Sequence, residues 1–206
     1  MVGRAIAGKL VAIGHEAKMG SREAGNEKAL AWIAETGEGA SEGSFADAAG
    51  FGEVVVNATA GAHSLEALEA AGAENLGGKV LIDIGNAMAD TQPMTLTVSN
   101  TDSLGEQIQR AFPEARVVKA LNTMNAGLMV APDSLGETTN AFLCGDDAGA
   151  KAQVTELLET FGWLSGDIID LGDITAARGM EMYLMLWLKL MGATGTAQFN
   201  IRIVKD

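Results

Sequence analysis

The sequence has one cysteine, three prolines and two histidines in 206 residues. A lone thiol, Cys144, excludes a disulfide framework and a multi-cysteine metal centre. It suits a reducing compartment, so a cytoplasmic protein is expected. His15 and His63 stand apart from any nucleophile motif or ligand spacing, which leaves no Ser-His-Asp or Cys-His constellation and no metal site. Basic residues are also scarce: 14 Lys and Arg face 27 Asp and Glu, a formal net charge of −13. No basic cluster offsets that excess, so nucleic acid and anionic membrane are excluded as partners. Long apolar runs are missing as well. The stretch from Met1 to Gly14 is interrupted by Arg4 and Lys9, which argues against a secretory signal. The most apolar stretch, Met182 to Ala193, carries Lys189 and is shorter than the ~20 residues of a spanning helix. Linkers rich in Pro or Ser, internal repeats and low-complexity tracts are absent.

What is present is apolar and periodic. The chain is 48% hydrophobic with a mean hydropathy of +0.15. That excludes a disordered chain and is ample for a core. Short β-branched runs alternate with Ala- and Leu-rich helical patterns. Helices are expected over Val2–Ile13, Asn26–Glu35 with Asn26 as N-cap, Ala62–Ala71, Asp102–Phe112 and Asp146–Phe161. Strands are expected over His15–Met19, Glu53–Ala58, Lys79–Ile84, Arg116–Leu121, Ala141–Cys144 and Ile168–Leu171. The glycine-rich stretch Gly37–Gly52 holds at most a weak strand and a short turn of helix. Apolar strands alternating with helices mean parallel strands with crossovers, an α/β doubly wound sheet. The tail differs. From Asp173 to Gly192 the pattern is helical and apolar nearly all round, which marks a helix buried in a core or an interface. A subunit interface is favoured, with Phe199–Val204 as a closing strand.

Doubly wound sheets bind ligands beyond the carboxyl ends of their strands, so the strand-to-helix corners are where chemistry belongs. Met1-Val2-Gly3 opens the first helix. Gly3 stands where the third glycine of a Gly-x-Gly-x-x-Gly fingerprint would stand, or simply permits close packing. Ser21 and Arg22 lie eighteen and nineteen residues beyond Gly3, the distance at which a dinucleotide site carries its ribose-reading residue. A hydroxyl and a guanidinium there suit the 2′-phosphate of NADP rather than the 2′-hydroxyl of NAD. They also suit a solvated turn. In the corner from Asn57 to His63, Thr59 and His63 lie where a nicotinamide-side ribose or phosphate is contacted, although a histidine at a helix start is as readily structural. Two further corners, Gly85-Asn86 and Asn122-Thr123-Met124-Asn125, offer polar amides that suit a carboxamide, a ribose or turn formation. Lys119, inside a strand, and Asp83, near the end of one, belong to no recognisable acid–base pair. No side chain is therefore assigned as catalytic, and the chemistry falls to a cofactor that the protein orients.

The run MVGRAIAGKLVAIGHEAKMGSR, followed in order by VVVNAT, KVLIDIGN, VVKALNTMNAGLM, FLCGDD and DLGDITAARGMEMYLMLWLKLMGATGTAQFNI, spans essentially the whole chain. It resembles the coenzyme F420-dependent NADP oxidoreductase family. The resemblance implies a Rossmann-type domain over 1–171 and a small C-terminal helical segment over 172–206 that helps build a homodimer. It implies hydride transfer between NADP(H) and a deazaflavin, coenzyme F420, at the mouth of the nucleotide cleft. Carried over, Val2 and Gly3 open the pyrophosphate-binding helix, and Ser21 and Arg22 match the 2′-phosphate clamp. Thr59 and His63 match the loop beside pyrophosphate and ribose. Asn86 joins them, and Asn122, Met124 and Asn125 match the loop where nicotinamide and deazaflavin meet. The two rings need donor and acceptor carbons held at ~3–3.5 Å, so positioning is the main catalytic task.

A same-fold reductase of a flavin, imine or ketone is the near rival. In the family this stretch follows a strand and a Gly-Thr-Gly, about ten residues with no counterpart here. That strand is central, so the expectation is a gap in the sheet with unpaired backbone beside it. Either the chain starts late, or dinucleotide affinity is lost and a non-catalytic nucleotide-binding or assembly protein results.

Overall fold

Seven strands and nine α-helices alternate along the described part of the computed structural model, residues 1–89, 91 and 94–205. Helix α1 (Val2–Ala12) leads into β1 (Ala17–Ser21), α2 (Glu27–Thr36), β2 (Ala40–Ser44), α3 (Phe45–Phe51) and β3 (Val54–Asn57). Then come α4 (Ser64–Ala71), α5 (Ala73–Leu76), β4 (Val80–Asp83), α6 (Leu104–Ala111) and β5 (Arg116–Ala120). The chain continues through α7 (Ala126–Val130), β6 (Ala141–Cys144), α8 (Ala148–Phe161), β7 (Ile168–Asp170) and α9 (Ala177–Thr194).

The expected α/β, Rossmann-type architecture is present, and its parallel strands fall into two sheets. One has the order β3-β4-β5-β6-β7, and the other pairs β1 with β2. Every pairing is parallel except β5 with β6. The break lies between β1 and β3, where a gap was expected. Strands β4 and β6 are buried along their whole length because helices cover both faces. Successive residues therefore serve opposite layers. Val80, Ile82 and Val118 pack with Ile6 of α1 and with Val154 and Leu158 of α8. Leu81 and Val117 pack with Leu68 of α4, Ile108 of α6 and Ala177 of α9.

Local chemistry sets the helix starts. Asn26 caps α2 as predicted, accepting from the amides of Lys28 and Ala29 at 3.1 and 3.3 Å. The stretch read as at most a weak strand and a turn holds all of β2 and α3. Ser44 and Asp47 form a capping box, so the helix begins directly where the strand ends.

Four boundaries depart from the sequence reading. The first strand runs Ala17–Ser21 rather than His15–Met19, which puts Ser21 at its carboxyl end. His63 closes a 3-10 turn, Gly61–His63, ahead of α4. The tail helix begins at Ala177 after a 3-10 turn over Ile174–Ala176. Phe199–Val204 forms no strand: the amides of Asn140 and Ile203 instead bond to Ile201 O and Asn140 Oδ1, at 2.9 and 2.6 Å, and Phe199 stacks on Trp187.

Candidate active site

The carboxyl ends of β1 and β3 border one cavity of about 430 Å³, lined by Arg22, Phe45, Thr59, Ala60, His63 and Glu66 among others. Three of the residues singled out in the sequence thus come together. Ser21, the last residue of β1, donates its hydroxyl to Glu23 O at 2.7 Å, which shapes the turn carrying Arg22. The Arg22 side chain is exposed and makes no hydrogen bond or ion pair among the described residues. His63 lies 3.6 Å from the Glu66 carboxylate, and both are largely exposed. Thr59 is held from below: its hydroxyl donates to Asn57 Oδ1 at 2.6 Å and lies 2.9 Å from Ser64 Oγ.

The β3 corner locks against the β4 corner through Gly61. A Cβ there would lie 1.7 Å from Asn86 O, so only glycine fits. Asn86 in turn forms a reciprocal pair with Asn122. Its amide donates to Asn122 O and its Oδ1 accepts from Asn122 Nδ2, each at 2.9 Å. Asn122 Nδ2 also donates to Met180 O of α9 at 3.0 Å. Two buried oxygens at this corner, Asn122 Oδ1 and Thr123 Oγ1, have no hydrogen-bond partner among the described residues.

The remaining singled-out residues lie apart from the Arg22 cavity. Val2 and Gly3 begin α1, where Gly3 packs against Ala58 just beyond β3. The first turn of that helix has neither a side-chain cap nor an acidic residue. Met124 is buried in the core. Asn125 caps α7, accepting from Gly127 and Leu128 at 2.8 and 3.2 Å, and it donates to Ala197 O in the tail.

Beneath these corners lies a network that the sequence reading missed. Lys119 and Asp83, read as unpaired, form a buried ion pair at 2.7 Å, and Glu181 of α9 lies 2.8 Å from the same ammonium. All three side chains are essentially inaccessible. Burial pulls the Lys119 pKa down, and the two carboxylates overcome it, holding the ammonium above the ordinary lysine range. The second carboxylate is neutralised by amides: Glu181 accepts from Leu104 and Gly105 at the start of α6, at 2.9 and 3.0 Å. Asp83 Oδ1 accepts from Asn57 Nδ2 at 2.8 Å and from the Gly85 amide at 3.0 Å, and Lys119 also donates to Gly85 O. One buried cluster therefore holds the corners after β3 and β4 and the base of α9. The signal was available: a lysine inside the apolar run RVVKAL must meet an opposite charge, because lone buried charges are too costly.

Comparison with known proteins gives this arrangement a lineage. Residues 1–87 match the family described as NADP oxidoreductase, coenzyme F420-dependent. Over the whole fold, a crystal structure from Arthrobacter sp. FB24, provisionally designated an F420-dependent NADP reductase, is 51% identical. The alignment covers 99% of this chain and 95% of that one, with a TM-score of 0.92. The chain belongs to the coenzyme F420-dependent NADP oxidoreductase family. It is thus an NADP oxidoreductase, and the reading as a non-catalytic assembly protein falls away.

More distant members of this fold surround the family. A hypothetical protein from Sinorhizobium meliloti is 23% identical, with a TM-score of 0.71 over 100% of this chain and 91% of that one. An imine reductase from Streptomyces aurantiacus is 20% identical, with a TM-score of 0.67 over 94% of this chain and 60% of that one. At such identities the likeness is one of fold alone. Within this oxidoreductase, burial pushes the Cys144 thiol up to about 12, so it is no nucleophile. No helix among the described residues is long and apolar enough to cross a membrane.

Proposed function

We propose that this oxidoreductase transfers a hydride between NADP(H), bound across the carboxyl ends of β1, β3, β4 and β5, and the deazaflavin coenzyme F420. The observation that carries the nucleotide assignment is Arg22: a guanidinium without a partner among the described residues, beside Thr59 and His63 on a cavity at the ends of β1 and β3. In that role Arg22 and Ser21 clamp the 2′-phosphate, which an NAD site with an acidic residue would repel. Val2 and Gly3 present the uncapped amides of α1 to the pyrophosphate, and Thr59 and His63 flank the ribose. Asn86, Asn122 and Thr123 bound the nicotinamide end, where the two partnerless oxygens of Asn122 and Thr123 are acceptors for a carboxamide amine. Met124 and Asn125 act there through packing and through the cap on α7.

The bound nucleotide would give or take the hydride. The chain's own residues orient it and exclude water, with no side chain acting as acid or base in the transfer. The family supports the deazaflavin as the acceptor. We further infer a homodimer, in a reducing cytoplasmic setting, built on α9. Met182, Met185 and Leu186 are exposed there, and Lys189 is the only charge from Met182 to Thr194.

The test is nucleotide titration of the wild-type protein and Arg22→Ala. The variant should lose about tenfold or more in NADPH affinity while NADH binding barely moves; equal losses would remove the clamp. Loss of the deazaflavin absorbance during NADPH oxidation tests the acceptor. Sedimentation of the same preparation as a monomer would remove the dimer.

A further inference from the structure

The Thr59 hydroxyl, on the wall of the Arg22 cavity, has one hydrogen to give, and the buried residues behind it decide where that hydrogen goes. Resting on the nucleotide reading above, we propose that Asp83 and Asn57 are positioning residues that make Thr59 a pure acceptor, so that it takes the hydrogen of a ribose hydroxyl and makes no bond to a phosphate oxygen.

The polarity is set from the buried end outward. Both oxygens of Asp83 are already accepting: Oδ2 lies 2.7 Å from the Lys119 ammonium, and Oδ1 takes the Gly85 amide at 3.0 Å. An ammonium and a backbone amide can only donate, so Asp83 has no hydrogen to offer Asn57. Asn57 must therefore turn its Nδ2 towards Asp83, 2.8 Å away, which leaves its carbonyl oxygen facing Thr59. That oxygen can only accept. It takes the Thr59 amide at 3.3 Å and the Thr59 hydroxyl at 2.6 Å, which commits the hydroxyl hydrogen inwards. Ser64 is fully buried, and its hydroxyl lies 2.9 Å from Thr59 Oγ1. With the Thr59 hydrogen spent, Ser64 is the donor of that pair. A hydroxyl has one hydrogen and two lone pairs. The hydrogen of Thr59 goes to Asn57 and one lone pair to Ser64, so a single lone pair is left for the cavity.

That lone pair selects its partner. An ionised phosphate oxygen carries lone pairs only and would meet Thr59 acceptor against acceptor. A ribose hydroxyl has a hydrogen to give and fits. Phosphate recognition then falls to groups that donate: the Arg22 guanidinium and the amides opening α1, which have no side-chain cap. The arrangement also resists reversal. Turning the Asn57 amide over would set its Nδ2 against the Thr59 amide and its oxygen against Asp83 Oδ1, two mismatches in a buried place. Lys119 is the root of the chain, because its ammonium keeps Asp83 an acceptor. A charge pair buried under the sheet thus reads out, two side chains away, as the hydrogen-bonding sense of one hydroxyl on the cavity.

The test is a binding cycle between side chain and sugar, read by fluorescence titration of the full chain. The probes are NADPH and its monodeoxy analogues, each with one free ribose hydroxyl replaced by hydrogen, either beside the 2′-phosphate or on the nicotinamide side. One analogue should bind the wild type about fivefold more weakly than NADPH does, the value of a neutral hydrogen bond. On Thr59→Val that discrimination should shrink to under about twofold, and Thr59→Ser should restore it. Asn57→Ala releases the Thr59 hydrogen, so there too the ratio should fall under about twofold while NADPH still binds. A merely structural role for Asn57 would weaken NADPH and the analogue by the same factor and leave the ratio unchanged. Thr59→Val keeps the Asn57–Asp83 bond, so the acceptor role is decided even where Asn57→Ala does not fold. Ratios that are the same in wild type and Thr59→Val for every analogue would overturn the acceptor role. An unchanged ratio in Asn57→Ala would overturn the positioning role. Absence of NADPH binding by the wild type would instead remove the nucleotide reading itself, and this assignment with it.

Discussion

The five-stranded sheet and the two-stranded sheet face the same difficulty, an unpaired backbone edge beside an apolar core, and they meet it differently. Strands β4 and β6 are buried throughout, and the carboxyl ends of β4 and β5 are tied by the Asp83–Lys119–Glu181 cluster. Strands β1 and β2 are mostly half-buried, and they hold Ser21 and Arg22 without any comparable tie. The nicotinamide end of the proposed site thus rests on a pinned sheet. The 2′-phosphate end rests on a two-stranded sheet with no such pin among the described residues. Within one fold, then, the reacting end and the recognising end of the proposed site are held by separate elements.

Removing the central pin should break this contrast most strongly. Lys119→Met leaves two carboxylates buried without their cation, which should cost about 3–5 kcal/mol in urea unfolding. Adding Asp83→Asn and Glu181→Gln should recover more than half of that loss. Because Lys119 is held above the lysine range, its contribution is complete below the ordinary value of 10.5 and fades only as pH climbs further. The deficit should therefore be equal at pH 7 and pH 9. A loss under 1 kcal/mol, roughly the value of a surface pair, would mean that the network does not hold the sheet.

A paired truncation sharpens the comparison at intermediate size. Leu143→Ala, in fully buried β6, should cost about 3 kcal/mol. Met19→Ala, in half-buried β1, should cost under about 1 kcal/mol. Equal losses would show that β1 is packed as tightly as the core. The smallest effect concerns a helix of the pinned half. The Arg110 guanidinium hydrogen-bonds Asp102 and holds its carboxyl at about 2, against an ordinary 3.8. A depressed pKa adds stability that is present above about pH 4 and lost as pH falls towards 2. Arg110 is more than half exposed, so the gain is under about 1 kcal/mol. The gap between wild type and Asp102→Asn should close over that window, and a pH-independent gap would count against the pairing.

The parts of the molecule that were legible in the sequence are those buried on both faces. Runs such as KVLIDI and RVVKAL can only be strands between two helical layers, and β3 to β6 lie where they were read. Strand β2 was nearly invisible because Ala-Ser-Glu-Gly-Ser has no apolar signature, and its pairing rests on β1 and the cap at Ser44. Asn125 shows a second limit. An amide after a strand suits a ligand or a helix cap equally, and only the amides of Gly127 and Leu128 reveal which duty its oxygen performs. The buried cluster was hidden by distance along the chain, since its members lie at 83, 119 and 181. The odd lysine in an apolar strand announced that a partner existed without naming it.

The reach of Glu181 also has a consequence in time. Asp83 and Lys119 leave the ribosome well before the carboxylate that completes their cluster and covers the amides opening α6. Until the start of α9 arrives, Lys119 lacks its second carboxylate and α6 has two uncovered donors at its start. The cluster that ties the corners after β3 and β4 to α9 can therefore close only when synthesis is nearly done.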